Sequence, residues 1–207
     1  MNQAPCIIVR GFGEVLVEPN QAEVILGVQT MNRNASEAQQ QNAQTINQVI
    51  QSIVQLGIPQ QHIQTVNYSI FPQYDYIDGK QHFRGYQVTH ELRVIISQIS
   101  ILGNVIDEVT KAGVNQFNQV TFSISQQEYY YQQALILALT NAYNKAHALT
   151  HSLQPFSTLY PAKIIELINP SMSPYQAKTF QAEQATSIAA GQLSVQAELE
   201  VTYLLYN

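Results

Sequence analysis

The chain contains a single cysteine, few charged residues and no long hydrophobic run. One cysteine, Cys6, excludes an internal disulfide, and its position at the start of a strand-like segment is typical of a small apolar side chain. Only 11% of the residues are charged, the nine Lys and Arg are scattered, and the net charge is −5. Nucleic acids and anionic membranes need clustered basic residues, so neither is an expected partner.

Segments that enter or cross membranes are also missing. No apolar stretch reaches the roughly 18 residues that span a bilayer. No basic and then apolar leader opens the sequence. We therefore expect a soluble protein without membrane insertion, located in the cytoplasm. A sequence trimmed of its leader would look the same, which keeps an exported or cell-envelope protein as the alternative.

Amide side chains take the place of the missing charges. Gln supplies roughly one residue in seven, well above ordinary usage. These Gln residues alternate with Ile, Val and Leu at regular spacing, which is typical of the solvent-facing sides of ordinary helices and strands. The 207 residues are enough for one domain over 1–207, with candidate sub-units at 6–57, 63–113 and 115–207.

The first half of the sequence predicts two strands, a helix and a long β-ribbon. Segments 6–17 and 22–29 favour a hairpin, and Gly11 and Gly13 within the first indicate a bulge or a close backbone approach. Asn34-Ala35-Ser36-Glu37 resembles a capping box in front of a helical apolar repeat. Gly57 is typical of the residue that closes such a helix.

The ribbon is predicted around Asp78-Gly79, a strong hairpin signal. Alternating residues run from Ile63 toward this turn and return to Ile96. The distal part, Gln73 to Phe83, is rich in aromatic residues and is expected to extend beyond the core.

The second half predicts a short helix over 99–109, a strand near 120–124 and a long helix from about Ser125 to Leu153. Alanines recur every four residues on the long helix, so another backbone is expected to pack closely against it. Strands at 162–168 and 193–203 flank an irregular loop over 169–191. The order ββα, ββα, βα, ββ predicts an α+β fold in which mixed or antiparallel sheets pack on helices.

Taken together, these segments resemble the SIMPL-domain family over about Val9 to Tyr203. The features that carry the resemblance are Gly11-Phe12-Gly13-Glu14-Val15 with Pro19, Leu56-Gly57-Ile58, His62-Ile63-Gln64-Thr65, Tyr74 and Tyr76, Gly85-Tyr86, Gly113 with Val120 and Phe122, and Ala142, Lys145 and Ala146. This bacterial group includes a periplasmic oxidative-stress protein and an immunogenic outer-membrane-associated antigen. The resemblance implies an α+β fold and ring-like homo-oligomers, and it supplies no catalytic residues.

Catalytic and metal-binding signatures are scarce. His147 and His151 lie four residues apart on the predicted long helix and are weak candidates for metal ligands, without a third ligand nearby. The sequence contains no Gly-x-Ser-x-Gly motif and no phosphate-binding loop. We therefore expect no catalytic residues, no cofactor and no enzymatic activity.

Aromatic residues along the ribbon are the strongest functional signal. Tyrosine and phenylalanine favour protein interfaces, and we predict an oligomer interface that contains Tyr68, Tyr74, Tyr76 and Phe83. The first hypothesis is a non-enzymatic, self-associating scaffold or stress-related assembly whose contacts also involve the loop over 169–191. The alternative is a small-ligand or peptide-binding module with a Tyr-lined cleft. Binding of an unidentified protein partner is a further possibility that the sequence leaves open.

Overall fold

A computed structural model describes residues 5–153, 157–167, 171–175 and 190–206. The elements are β1 (Cys6–Val17), β2 (Gln21–Asn32), α1 (Ala35–Gln55), β3 (Ile63–Ile77), β4 (Lys80–Ile96), α2 (Leu102–Lys111), β5 (Gln116–Ser123), α3 (Gln127–Leu153), β6 (Thr158–Glu166), β7 (Ser171–Tyr175) and β8 (Gln192–Tyr206). All strand pairs between them are antiparallel, and helices pack on the sheets. The predicted α+β class is confirmed.

The chain forms two compact units. The first unit contains β1, α3, β6, β7 and β8, which come from both halves of the sequence. The second unit contains β2 to β5 with α1 and α2, and these elements lie within residues 19–123. Each unit has its own buried apolar cluster.

The second unit is a sheet in the order β3-β4-β2-β5 with α1 and α2 on one face. Val24 lies opposite Val94 and Leu26 opposite Leu92, so the apolar members of each alternating strand meet on the same face. The apolar stripe of α1 covers that face, with Val49 and Ile53 fully buried. This packing explains why the amphipathic repeat of α1 is stable as a helix.

The ends of α1 follow the sequence signals with one difference. Asn34 accepts a hydrogen bond from the Ser36 backbone N–H at 2.9 Å, as a helix cap should. Its own N–H donates to Asn32 Oδ1 at 3.0 Å rather than to the expected Glu37 carboxylate. Gly57 follows the helix with φ of +85°, which confirms the predicted left-handed closing residue.

In the first unit, β8 is the central strand. β1 pairs along one edge of β8, while β6 and β7 share the other edge. Helix α3 packs across β1 and β8 through a stripe of fully buried alanines at positions 134, 138, 142 and 146. The expected close backbone contact of this alanine stripe is therefore confirmed.

Two glycines of β1 make that contact tight. A Cβ atom built on Gly11 would lie 2.0 Å from Ala138 O, and one built on Gly13 would lie 2.0 Å from Ala134 O. Helix α3 also contacts the outer edge of β1. Asn141 Oδ1 accepts from the Phe12 N–H at 3.1 Å, and Lys145 Nζ donates to Arg10 O at 2.8 Å.

The predicted hairpin between the first two strands is wrong. β1 pairs with β8, from Cys6 opposite Leu204 to Val17 opposite Leu193, and β2 pairs with β4 and β5 in the other sheet. The turn after Val17 carries the chain from one unit to the other. The apolar alternation of β1 matches that of β8, and its two glycines contact the alanine stripe of α3. This strand therefore belongs with the C-terminal elements.

The predicted loop over 169–191 contains a strand. β7 (Ser171–Tyr175) pairs with β8 from Ser171 opposite Gln196 to Tyr175 opposite Gln192. Most of the remaining loop lies outside the described residues, as do the subunit contacts predicted for it. A five-residue strand that contains a proline gives no alternation long enough to be recognised from sequence.

Candidate functional site

The β3–β4 ribbon continues past the sheet of the second unit. The pairing of β2 with β4 ends at Asn32 opposite Tyr86, and beyond it residues 73–77 and 80–85 pair only with each other. Asp78 and Gly79 form the turn with φ of +50° and +74°. Both residue types tolerate this left-handed conformation, so the Asp-Gly signal correctly located the turn. We call residues 73–85 the ribbon tip.

Aromatic rings cluster along the ribbon tip. Tyr74 and Phe83 are cross-strand partners with ring centroids 5.7 Å apart, and Phe83 lies 5.2 Å from Tyr86. Both contacts are edge-to-face, a geometry that contributes about 0.5–1.5 kcal/mol per pair. Tyr74 and Phe83 are each 44% exposed, and Tyr76 is 75% exposed. The rings therefore stiffen the ribbon but remain available to a partner.

Backbone and polar contacts hold the tip in place. The register shifts between Gln73 and Tyr74, where Arg84 is an extra residue on the opposite strand. Gly85 adopts φ of +155°, and a Cβ there would lie 2.8 Å from Asn32 O. Glycine is required at this position because the end of β2 crowds it. Arg84 and Asp75 form an exposed ion pair at 3.7 Å, which adds little stability.

Tyr68 belongs to a different cluster within the sheet. Its ring lies 5.2 Å from its cross-strand partner His90, edge to face. His90 Nε2 is 2.9 Å from Thr65 Oγ1, and burial lowers the pKa of His90. The structure therefore brings Tyr74 and Phe83 together with Tyr86 but separates Tyr68 from them. The role of Tyr68, Tyr74, Tyr76 and Phe83 as an oligomer interface stays a prediction.

The two candidate metal ligands lie on the exposed side of α3. The rings of His147 and His151 are 6.4 Å apart and line a cavity of about 250 Å³ with Tyr143 and Thr150. Within the described residues, no group of three or more His, Cys, Asp or Glu side chains could hold a metal ion. Metal binding by this pair stays a prediction.

Tyr131 and Glu166 form a pair that sequence patterns did not reveal. Tyr131, buried near the start of α3, donates a hydrogen bond to the Glu166 carboxylate at the end of β6. Burial raises the pKa of Tyr131 to about 12, and the hydrogen bond to Glu166 and its charge act in the same direction. The hydroxyl therefore keeps its proton over the ordinary pH range and ties α3 to β6.

This pair predicts a pH dependence at high pH. The folded-state pKa of Tyr131 is raised above its ordinary value of 10.0 to about 12, so its stabilising contribution is complete below pH 10 and is lost as the pH rises toward 12. We expect the free energy of unfolding to fall less steeply across this window in Tyr131→Phe than in the natural chain. Urea titrations at several pH values measure this difference, and parallel curves would contradict it. The paired comparison is needed because burial also raises the pKa of Tyr203.

None of the helices in the described part of the chain combines the length and apolar character needed to cross a membrane.

Curated relatives cover much of the sequence. The uncharacterized protein YggE of Escherichia coli (strain K12) is 28% identical over 147 residues, which is 71% of this chain and 60% of that protein. YggE of Edwardsiella ictaluri is 26% identical over 189 residues, covering 91% of this chain and 75% of the relative. The chain thus spans about 60% of the length of the E. coli protein that it matches.

A third relative corrects the expected location. The 26 kDa periplasmic immunogenic protein of Brucella melitensis is 28% identical over 148 residues, or 69% of this chain and 59% of that protein. Its name places that protein in the periplasm. The prediction of a cytoplasmic protein is therefore wrong.

Family membership follows from a match that includes both units. The matching family model is described as "SIMPL: Protein of unknown function (DUF541)", and it covers residues 7–203. This span begins in β1 and ends in β8, the two strands whose pairing completes the first unit. The chain belongs to the SIMPL family.

Proposed function

We propose that this SIMPL protein is a non-enzymatic, exported protein that self-associates into a stress-related scaffold through its ribbon tip. The observation that carries the proposal is the exposed aromatic cluster at residues 73–85, beyond the last pairing with β2. The periplasmic name of the Brucella relative supports the exported location. The absence of a nucleophile motif in the sequence supports a role without catalysis.

The physical argument concerns what the ribbon tip can bury. A two-stranded ribbon has no core of its own and is only marginally stable in water. Tyr76 and Ile77, which are 75% and 55% exposed, gain little from packing within their own unit. A neighbouring copy that covers these side chains would remove apolar surface from water at about 25 cal/mol per Å². Aromatic residues of this type also dominate the energetics of protein interfaces.

A closed assembly would cover the ribbon tip of every copy, whereas an open one leaves a terminal tip exposed. If the tip contacts a different surface on the next copy, the contact is head-to-tail. Head-to-tail contacts form rings when the rotation between copies closes. The proposal therefore includes a ring-like homo-oligomer, and no second protein is needed to cover the tip.

Substitution of the tip tyrosines should reduce the size of the assembly. We expect the natural chain to have a mass that is a multiple of 23.2 kDa in light scattering. Tyr74→Ser combined with Tyr76→Ser should shift this mass toward the monomer, because it removes two exposed rings and leaves the buried cores unchanged.

A matched control tests whether the location of the tyrosines in the ribbon tip is responsible for the change in mass. Tyr129→Ser combined with Tyr160→Ser removes two tyrosines of comparable average exposure from the first unit and should leave the mass unchanged. A natural chain that stays monomeric as its concentration rises through the micromolar range would contradict the proposal. Equal effects of both double substitutions would show that the tip has no special role.

A further inference from the structure

An apolar cleft follows the line between α3 and β6 in the first unit. Two adjoining cavities of about 380 and 360 Å³ share Leu139 from α3 and Ile164 from β6. Ile136 of α3 lines the first cavity, and Pro161 of β6 lines the second. Their volumes lie within the range of roughly 300–1,000 Å³ that is typical of small-molecule sites.

The cleft exists because of where α3 packs. The helix lies mainly against β1 and β8, since Gly11 and Gly13 admit its backbone there. The inner face of β6 is left largely uncovered by the helix, and Ile136 and Ile164 remain 58% and 52% exposed. An exposed strip of large apolar side chains beside a concave surface is typical of a binding groove.

The two ends of the cleft differ in polarity. Tyr143 continues the cleft into the cavity that contains His147 and His151. Imidazole N–H groups can donate hydrogen bonds to an anionic group. At the opposite end, Glu166 lines the cleft with its carboxylate. An anion is therefore favoured at the histidine end and repelled at the other.

We propose that this cleft binds a long-chain carboxylate, with its alkyl chain between Leu139 and Ile164 and its head group beside His147 and His151. The apolar trough fits an alkyl chain, and the single polar cavity fits one head group. The charge of Glu166 fixes the direction in which the ligand lies. This site is independent of the ribbon tip, which belongs to the other unit.

Isothermal titration calorimetry with dodecanoate, kept below its micelle concentration, tests the proposal directly. We expect saturable binding to one site per chain. Hexanoate should bind roughly 50-fold more weakly, because it lacks six methylene groups that would be partly buried in the cleft. Because the Glu166 carboxylate would attract a cation, the charge comparison is made in Glu166→Gln, whose side-chain oxygen can still accept the Tyr131 hydrogen bond. Dodecylammonium has the same chain and the opposite charge, and it should bind to this variant about ten-fold more weakly than dodecanoate does. Equal binding of the two dodecyl compounds would overturn the assignment of the histidine end.

Two leucines on α3 provide a matched pair of variants. Leu139→Glu places a carboxylate in the trough and should abolish dodecanoate binding. Leu137→Glu makes the same change two residues away, at a more exposed position that lines neither cavity, and should bind normally. Both positions are on the surface, so circular dichroism should show folded proteins. Normal binding by Leu139→Glu would overturn the proposal.

The head-group end is tested separately. In the same Glu166→Gln background, His147→Ala combined with His151→Ala should reduce the affinity for dodecanoate to that for dodecylammonium, while the alkyl contacts remain. Unchanged discrimination between the two compounds would contradict the head-group assignment. If dodecanoate fails to bind and Leu139→Glu instead lowers the mass in light scattering, the cleft is covered by a second copy, and the ligand proposal is wrong.

Discussion

Replacement of Gly13 by alanine should destabilise the first unit by about 3 kcal/mol or more. The added Cβ would lie 2.0 Å from Ala134 O and 2.5 Å from Ala138 N, which are backbone atoms of α3. No side-chain rotation can relieve these contacts, so the helix must move away from the sheet. That movement would open the tightly packed layer formed by the alanine stripe. Urea denaturation followed by far-ultraviolet circular dichroism measures the loss.

A control substitution separates crowding from the ordinary cost of replacing a glycine. Gly79→Ala also adds one methyl group, but nothing lies within 4 Å of its Cβ position. It should cost only about 1 kcal/mol, from the left-handed backbone at φ of +74°. Combining Gly13→Ala with Ala134→Gly should not restore stability, because the obstructing atom is a carbonyl oxygen. Full rescue by that pair would show that side-chain volume, rather than backbone contact, limits the packing.

Replacement of Asn42 by alanine should destabilise the second unit by about 2–3 kcal/mol. Asn42 is buried on α1, where its Nδ2 donates to Val28 O at 2.8 Å and to Val88 O at 3.3 Å. One amide thereby connects the helix to β2 and β4 together. Its loss leaves two buried carbonyls without this donor and creates a small cavity.

Asn47 supplies the control on the same helix. It is exposed, and Asn47→Ala should change the free energy of unfolding by less than about 0.5 kcal/mol. Thermal melts of the two variants, compared with the natural chain, measure both effects. A loss for Asn42→Ala no larger than that for Asn47→Ala would show that water replaces the amide at little cost.

The ends of helices and the position of the ribbon turn could be predicted from the sequence, because each depends on a few neighbouring residues. The limits of α1 depend on Asn34 and Gly57, and the ribbon turn depends on Asp78 and Gly79, all of which act within a few residues. The aromatic ribbon tip followed from the same turn. The predicted interface omits Tyr86, although the Tyr86 ring contacts Phe83. Its position beyond the bulge at Arg84 hid this contact from simple alternation.

Contacts between distant segments could not be predicted in the same way. The alternation of β1 predicts a strand but does not identify its partner, and adjacency in the sequence favours β2, which is the wrong one. Asn42 occupies the apolar stripe of α1, four residues before Ile46, and this polar interruption was the one available sign of its role. The α3–β6 cleft exists because α3 leaves β6 largely uncovered. This depends on contacts between distant segments, and no local sequence pattern predicts it.

The partnership of β1 with β8 has a consequence for biosynthesis. Cys6 lies opposite Leu204, so closing this pair brings together segments separated by almost the whole chain. The helices and strands of the second unit lie within residues 19–123 and can fold while the ribosome is still translating the rest. Until β8 emerges, β1 is an apolar strand without its partner, and its unpaired backbone groups can associate with strands of other chains.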